Sequence, residues 1–276
     1  MKTYTPGEDD SNKTVLLIVM DRAVAIMEGS FMKKGTLKQI LLITDGCSNK
    51  GEDPVAMAAL AKESGITVNV IGVMENDAID EKGLREIEGM AASGGGISQV
   101  VFAEALSQTV QMVTRKAMTQ TLQGVVNREL RQILGSETTI EELSPETRGE
   151  VMEVVDELGE TADVEVLVLI DTSASMKSKL PTVKEALLDL SLSLNARMGN
   201  NRFAVLIFPG KKKEVEKLLD WTPNLQLLTS VFPKLAIGGI TPTGPALREA
   251  MTYFKKKRSL RELLSKDDEQ FFEESM

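Results

Sequence analysis

The chain has 276 residues, a formal net charge of −9, no histidine and a single cysteine, Cys47. This length allows one large or two small domains, and the acidic charge argues against general nucleic-acid binding. Without histidine there is no Ser-His-Asp or Cys-His catalytic site and no histidine-ligated zinc, and one cysteine cannot form an internal disulfide. Both features fit a cytoplasmic protein.

Residues 1–31 are expected to be a non-native or disordered extension. Their apolar run, residues 15–20, is short and has acidic residues on both sides, so it predicts neither a signal peptide nor a membrane span. Residues 27–32 (MEGSFM) can be encoded by a purine-rich ribosome-binding sequence followed by a start codon. We therefore expect translation to begin at Met32.

From Met32 to residue 134 the sequence alternates between strand and helix patterns. Apolar runs bounded by glycine predict buried strands, and segments with proline at the start or glycine at the end predict helices. The predicted strands are Lys38–Thr44, Ile66–Met74 and Ile97–Ala103, and the predicted helices are Pro54–Ser64, Glu81–Ala92 and Leu106–Leu134. This alternation predicts a parallel sheet covered by helices on both faces.

Residues 135–162 form an acidic connector, predicted to be helical or partly flexible, and residues 163–254 resume the alternation. The predicted strands there are Val164–Ile170, Arg202–Phe208 and an edge strand at Glu214–Leu219, and the predicted helices are Thr182–Met198, Asn224–Leu235 and Pro245–Tyr253. Residues 255–276 are predicted to be a charged tail. Together the two halves predict one α/β domain with a Rossmann-like, doubly wound, mostly parallel six-stranded sheet.

Polar oxygen donors follow the buried strand that ends at Ile170. Asp171, Ser173 and Ser175 stand at alternate positions where the chain turns toward a helix. Three hard oxygen donors on one loop suit Mg²⁺, Ca²⁺ or Mn²⁺ rather than zinc. The alternative is a local turn that caps the following helix.

Two further loops carry the same chemistry. Asp45 follows the strand Lys38–Thr44, and Thr241 lies on a Gly/Pro-rich loop that opens onto a helix. Thr243, on the same loop, is expected to cap the helix or to support the site rather than to bind metal. Ligands of open α/β sheets bind beyond the carboxyl ends of the strands, so all three loops are expected at one sheet edge.

These three segments resemble the metal-ion-dependent adhesion site of the von Willebrand factor type A family. Asp171, Ser173 and Ser175 match its Asp-x-Ser-x-Ser motif, Thr241 matches its threonine loop, and Asp45 matches its later aspartate. Within the family, the sequence is most similar to a group from endospore-forming bacilli. The resemblance implies a non-enzymatic module that binds Mg²⁺, or Mn²⁺ or Ca²⁺, with a role in sporulation or signalling. Hydroxyls would bind the cation directly, aspartates partly through water, and one open position would accept an Asp or Glu of a protein partner.

The order of the motifs differs from the family pattern, in which the Asp-x-Ser-x-Ser loop comes first. Here Asp45 precedes Asp171, so residues 32–134 correspond to the C-terminal half of the domain and residues 163–254 to its N-terminal half. A circular permutation explains this order. A domain-swapped homodimer is the alternative.

Two other functions are compatible with the sequence. A metal-assisted phosphatase of similar fold would use a nucleophilic aspartate with a second aspartate two positions later, where this chain has Ser173. A metal-free scaffold would bind partners without using these side chains. Neither nucleic-acid binding nor membrane insertion is expected.

Overall fold

The structure of the protein is a computed structural model that describes residues 36–74, 80–134, 139–235 and 237–254. Within these residues the strands are β1 (Thr36–Thr44), β2 (Thr67–Met74), β3 (Gly95–Phe102), β4 (Asp163–Asp171), β5 (Asn201–Phe208) and β6 (Glu216–Thr222). The helices are α1 (Pro54–Glu63), α2 (Glu81–Ser93), α3 (Leu106–Leu134), α4 (Pro145–Thr161), α5 (Leu180–Asn195), α6 (Leu228–Val231) and α7 (residues 243–254). The predicted extension 1–31 and tail 255–276 lie outside the described residues.

The strands form one sheet in the order β3-β2-β1-β4-β5-β6. Strands β1 to β5 are parallel, and β6 pairs antiparallel to β5. The chain winds outward from β1 in one direction and from β4 in the other, so the topological switch point lies between these two strands. Ligands of open α/β sheets bind at this point, beyond the carboxyl ends of the strands.

A hydrophobic core lies on each face of the sheet, because successive strand side chains point to opposite sides. On β4, Val166, Val168 and Ile170 pack with α3, α4 and α5, whereas Leu167 and Leu169 pack with α1, α2 and α7. All five side chains are at most 1% exposed. The predicted α/β class, with a six-stranded sheet and helices on both faces, is therefore confirmed.

The connector between the two halves, predicted to be helical or partly flexible, contains helix α4 within the described residues. Helix α4 begins after Ser144, whose hydroxyl accepts a hydrogen bond from the Thr147 N–H, and its buried residues include Val151 and Val155. Helix α3, which precedes the connector, runs for 29 residues.

No helix in the described part of the chain has both the length and the apolar character that are needed to cross a membrane.

Three elements of the second half differ most from the predicted bounds. Helix α5 ends at Asn195 rather than at residue 198, and the Asn201 side chain donates to the Leu194 carbonyl oxygen near this end. Strand β6 begins two residues later than predicted. Helix α6 is only four residues long and continues into a 3-10 turn that contains Pro233, because proline cannot donate the next helical hydrogen bond.

Candidate metal centre

Asp171 lies at the carboxyl end of β4, in the centre of the sheet, and is fully buried. Its Oδ1 accepts a hydrogen bond from the Ser173 N–H at 2.8 Å, and its Oδ2 accepts one from Thr44 Oγ1 at 2.8 Å. Thr44 ends β1, and the parallel register that pairs Ile43 with Ile170 brings it level with Asp171. The carboxylate is therefore held in one orientation by groups from both halves of the chain.

Burial makes the ionised form of Asp171 unfavourable. Desolvation, with a smaller contribution from the charge of Asp45, raises the pKa of Asp171 from 3.8 to about 6, although hydrogen bonds from Ser173 and Thr44 lower it. A carboxylate in such surroundings gains much from a cation placed close to it.

Ser173 and Ser175 lie on the turn that follows β4. A 3-10 turn at Ala174–Met176 reverses the chain, and the fully buried side chain of Met176 anchors it. The two hydroxyl oxygens are 3.3 Å apart. Ser173 is almost buried whereas Ser175 is exposed, so the pair extends from the sheet edge to the surface.

Asp45 completes a continuous network with these groups. It follows β1, and its Oδ1 accepts a hydrogen bond from Ser175 Oγ at 2.9 Å. Its Oδ2 accepts from Lys179 Nζ at 2.5 Å, and the same ammonium donates to the Ser175 carbonyl oxygen at 3.2 Å. The side chains of Asp45 and Lys179 are 4% and 11% exposed, so this ion pair is largely shielded from water.

The sequence did not predict a role for Lys179. The sequence signal for such a role is the spacing of four residues between Ser175 and Lys179. In a helical conformation, this spacing places the two residues on the same side of the chain. A lysine is long enough to reach several positions, however, and spacing alone does not select Asp45 as its partner.

Thr241 reaches the same edge through its backbone. Its N–H donates to Asn49 Oδ1 at 2.8 Å, and its carbonyl oxygen accepts from the Asn49 N–H at 3.1 Å. The Gly238 N–H donates to the Thr172 carbonyl oxygen at 2.9 Å, which fixes the other end of the loop beside Asp171. Among the described residues, the Thr241 side chain forms no hydrogen bond with the other four predicted ligands.

Thr243 is 1% exposed, and its hydroxyl has no hydrogen-bond partner among the described residues. The predicted capping role is therefore not seen as a side-chain hydrogen bond.

Cys47 lies two residues after Asp45, and its thiol donates a hydrogen bond to Asp80 Oδ1 at 3.6 Å. Partial burial raises the pKa of this thiol. The thiol therefore contacts Asp80 rather than the candidate ligands, and a raised pKa disfavours the thiolate form that binds metals.

The donor set fits a hard divalent cation. Asp171 and Asp45 provide two carboxylates, and Ser173, Ser175 and Thr241 provide hydroxyls, all of them oxygen donors of the kind that Mg²⁺, Mn²⁺ and Ca²⁺ prefer. The buried anionic Asp171 adds an electrostatic reason for a cation here. The described residues contain no group of three or more cysteine or acidic side chains that could hold a metal, so this site has only two carboxylates and depends on its hydroxyls.

Comparisons with known proteins agree with this fold. Two models described as von Willebrand factor type A domains match residues 2–116 and residues 166–268. YabS of Bacillus subtilis (strain 168) is 68% identical over 245 residues, which cover 89% of this chain and 100% of YabS. The crystal structure of an uncharacterized protein from Alicyclobacillus acidocaldarius is 40% identical, with a TM-score of 0.74, and the match covers 81% of this chain and 96% of that one.

The chain therefore belongs to the von Willebrand factor type A domain family, as the sequence predicted. Domains of this family are generally protein-interaction modules and are usually not enzymes. Within the family, the chain is a protein of the YabS type. The first family match includes most of residues 1–31, and the expected start at Met32 stays a prediction.

Proposed function

We propose that the protein is a divalent-cation-dependent interaction module that captures an Asp or Glu side chain of a partner protein. The observation that carries the proposal is the contact network of Asp171, Ser173, Ser175 and Asp45 at the switch point between β1 and β4. Ser175 and Asp45 are separated by 130 residues in the sequence and are joined by a 2.9 Å hydrogen bond. Thr241 is the proposed fifth ligand, and its backbone is hydrogen-bonded to Asn49, which lies on the loop that follows β1.

The preferred cation is Mg²⁺, and Mn²⁺ or Ca²⁺ is compatible with the same ligands. Thr44 and the Ser173 N–H orient the Asp171 carboxylate, and each carboxylate oxygen keeps a lone pair that could bind the cation. When bound, the cation would supply a coordination position at which a partner carboxylate can bind. The three hydroxyl ligands carry no charge, so the ligand set does not over-neutralise a divalent ion.

We also propose that the order of the halves is a circular permutation. One six-stranded sheet contains three strands from residues 36–102 and three from residues 163–222, and each half matches the family separately. Thr44, from the first half, donates a hydrogen bond to Asp171, from the second half. Helices α3 and α4 would then be the segment that joins the last element of the family pattern to its first.

Metal titration tests the cation site directly. We expect calorimetry with Mg²⁺ or Mn²⁺ to show one site in the wild-type chain and none in Asp171→Ala. Asp156→Ala, which removes an exposed aspartate of α4, is the matched control and should bind as the wild type does. If Asp171→Ala and Asp156→Ala bind metal equally well, the proposed site is wrong.

A pull-down from host lysate tests the interaction. We expect partners to be retained in Mg²⁺ and released in EDTA by the wild-type chain, and not to be retained by Asp171→Ala. Equal retention in EDTA would instead support the metal-free scaffold. Turnover of a generic phosphate ester that is lost in Asp171→Ala would support the phosphatase. The identity of the retained proteins also tests the proposed sporulation or signalling role.

A further inference from the structure

We infer that Lys179 is a built-in counter-cation that makes the metal-loaded site selective for an anionic ligand. The inference rests on the proposed function, because it assumes that the site binds a divalent cation. Lys179 is not itself a metal ligand, and its role is to favour an anionic group as the ligand that completes the metal site.

Lys179 is placed to act on the site by charge. Its Nζ contacts Asp45 Oδ2 at 2.5 Å and the Ser175 carbonyl oxygen at 3.2 Å, so it touches two of the residues that form the site. The residue lies at the start of α5, and the leucine that follows it is 4% exposed, which fixes its backbone. Because both charged side chains are almost buried, water screens their fields weakly.

The charges of the contact network explain how Lys179 affects the binding of the cation and of its carboxylate ligand. Asp171 and Asp45 carry one negative charge each, Lys179 carries one positive charge, and the hydroxyls carry none. The network therefore has a net charge of about −1 rather than −2, and a divalent ion would leave it near +1. Without Lys179 the loaded network would be neutral. Lys179 thus weakens cation binding and at the same time favours completion of the site by a carboxylate.

Lys179→Gln is the most informative variant, because it removes the positive charge and keeps a polar side chain of nearly the same length. Lys177→Gln is the matched control: it removes the same charge from an exposed position two residues away. We expect Lys179→Gln to bind Mn²⁺ about tenfold more tightly than the wild type, because a repelling charge is removed. Lys177→Gln should stay within about twofold of the wild type, because solvent screens its charge.

Acetate is the probe for the anionic ligand. We expect sodium acetate, compared with sodium chloride at equal ionic strength, to raise the Mn²⁺ affinity of the wild-type chain, Lys177→Gln and Lys179→Arg. By linkage, the two ligands must strengthen each other's binding equally. The enhancement should be largely lost in Lys179→Gln.

The outcomes separate this inference from the proposed function. If the wild-type chain binds no Mn²⁺, the proposed function is wrong and the inference fails with it. If the wild-type chain binds Mn²⁺ but Lys179→Gln matches Lys177→Gln in affinity, only the inference is overturned. Should Lys179→Gln fail to fold, Lys179→Met gives the same comparison, because it removes the charge at a similar side-chain length. Unchanged Mn²⁺ affinity and unchanged acetate enhancement in Lys179→Met would overturn the inference.

Discussion

Asp171→Asn should make the metal-free protein more stable at neutral pH, although it removes the central residue of the candidate site. The substitution keeps the shape of the side chain and removes a charge that is fully buried. In the absence of a cation, this charge lowers the free energy of unfolding, because the ionised carboxylate is better solvated in the unfolded chain.

The magnitude follows from the shift in the pKa of Asp171, from 3.8 to about 6. Between these two values the folded state binds more protons than the unfolded state, so stability falls as the pH rises through this window and is constant above it. Two pKa units correspond to about 3 kcal/mol at neutral pH. Below about pH 4 the carboxyl group is protonated in both states and the difference between the proteins should nearly vanish.

The hydrogen bonds around residue 171 can be kept in the variant. An asparagine oxygen can accept from the Ser173 N–H, and its amide nitrogen can donate to Thr44 Oγ1. The Thr44 hydroxyl can then donate to the Gly46 carbonyl oxygen, which is 3.3 Å away. Differences in hydrogen bonding should therefore change the free energy of unfolding by only about 1 kcal/mol, which is less than the effect of removing the charge.

Urea unfolding between about pH 2 and pH 8 in EDTA measures this difference directly. Asp220→Asn is a control of opposite sign, because hydrogen bonds from Lys217 and Tyr253 lower the pKa of Asp220 to about 2. Its ionised form is stabilising, so Asp220→Asn should be less stable at neutral pH and approach the wild type as the pH falls below about 4. A lower stability of Asp171→Asn than of the wild type at neutral pH, or an effect that does not change with pH, would contradict a destabilising buried charge at residue 171.

Three further predictions address the ligands, the loop packing and the assembly. Ser175→Ala should lower Mn²⁺ affinity about tenfold in calorimetry with little loss of stability, because the residue is exposed; unchanged affinity would exclude it as a ligand. Gly244→Ala should cost about 2 kcal/mol in urea unfolding, since an added Cβ would lie 2.0 Å from the Glu52 carbonyl oxygen. Gly124→Ala, in an exposed and open position of α3, should gain about 0.5–1 kcal/mol instead. Sedimentation should show a single chain, and a stable dimer would favour the domain-swapped alternative.

Most of the fold could be predicted because its strands are buried on both faces. Continuous apolar runs such as those of β1 and β4, bounded by glycine or by Asp-Gly, have few alternatives to a central parallel strand. The expected position of the candidate site followed from the same fact, since Asp45 directly follows β1 and Asp171 ends β4. The short elements were predicted less well: β6 and α6 have little burial of their own, and their bounds depend on pairing with β5 and on Pro233.

The contacts that complete the site could not be predicted, because they join residues far apart in the sequence through particular rotamers. Asn49 and Thr241 are separated by 192 residues, and their backbones pair only because both loops lie at the same edge. Lys179 and Asp45 are separated by 134 residues. A lysine near the start of a helix is most often a solvated charge, so nothing in the sequence indicates that Lys179 forms a shielded ion pair with Asp45.

The candidate site depends on the pairing of the two halves, since neither half contains the whole set of ligands. Asp45 follows β1 and Asp171 ends β4, and the register between these strands places both carboxylates at one edge. A shift of one residue would turn every side chain of one strand to the opposite face and expose its core residues, so the hydrophobic pattern fixes the register strongly. The same packing that stabilises the sheet therefore fixes the distance between the carboxylates. A cation that binds both of them would in turn stabilise the pairing of β1 with β4.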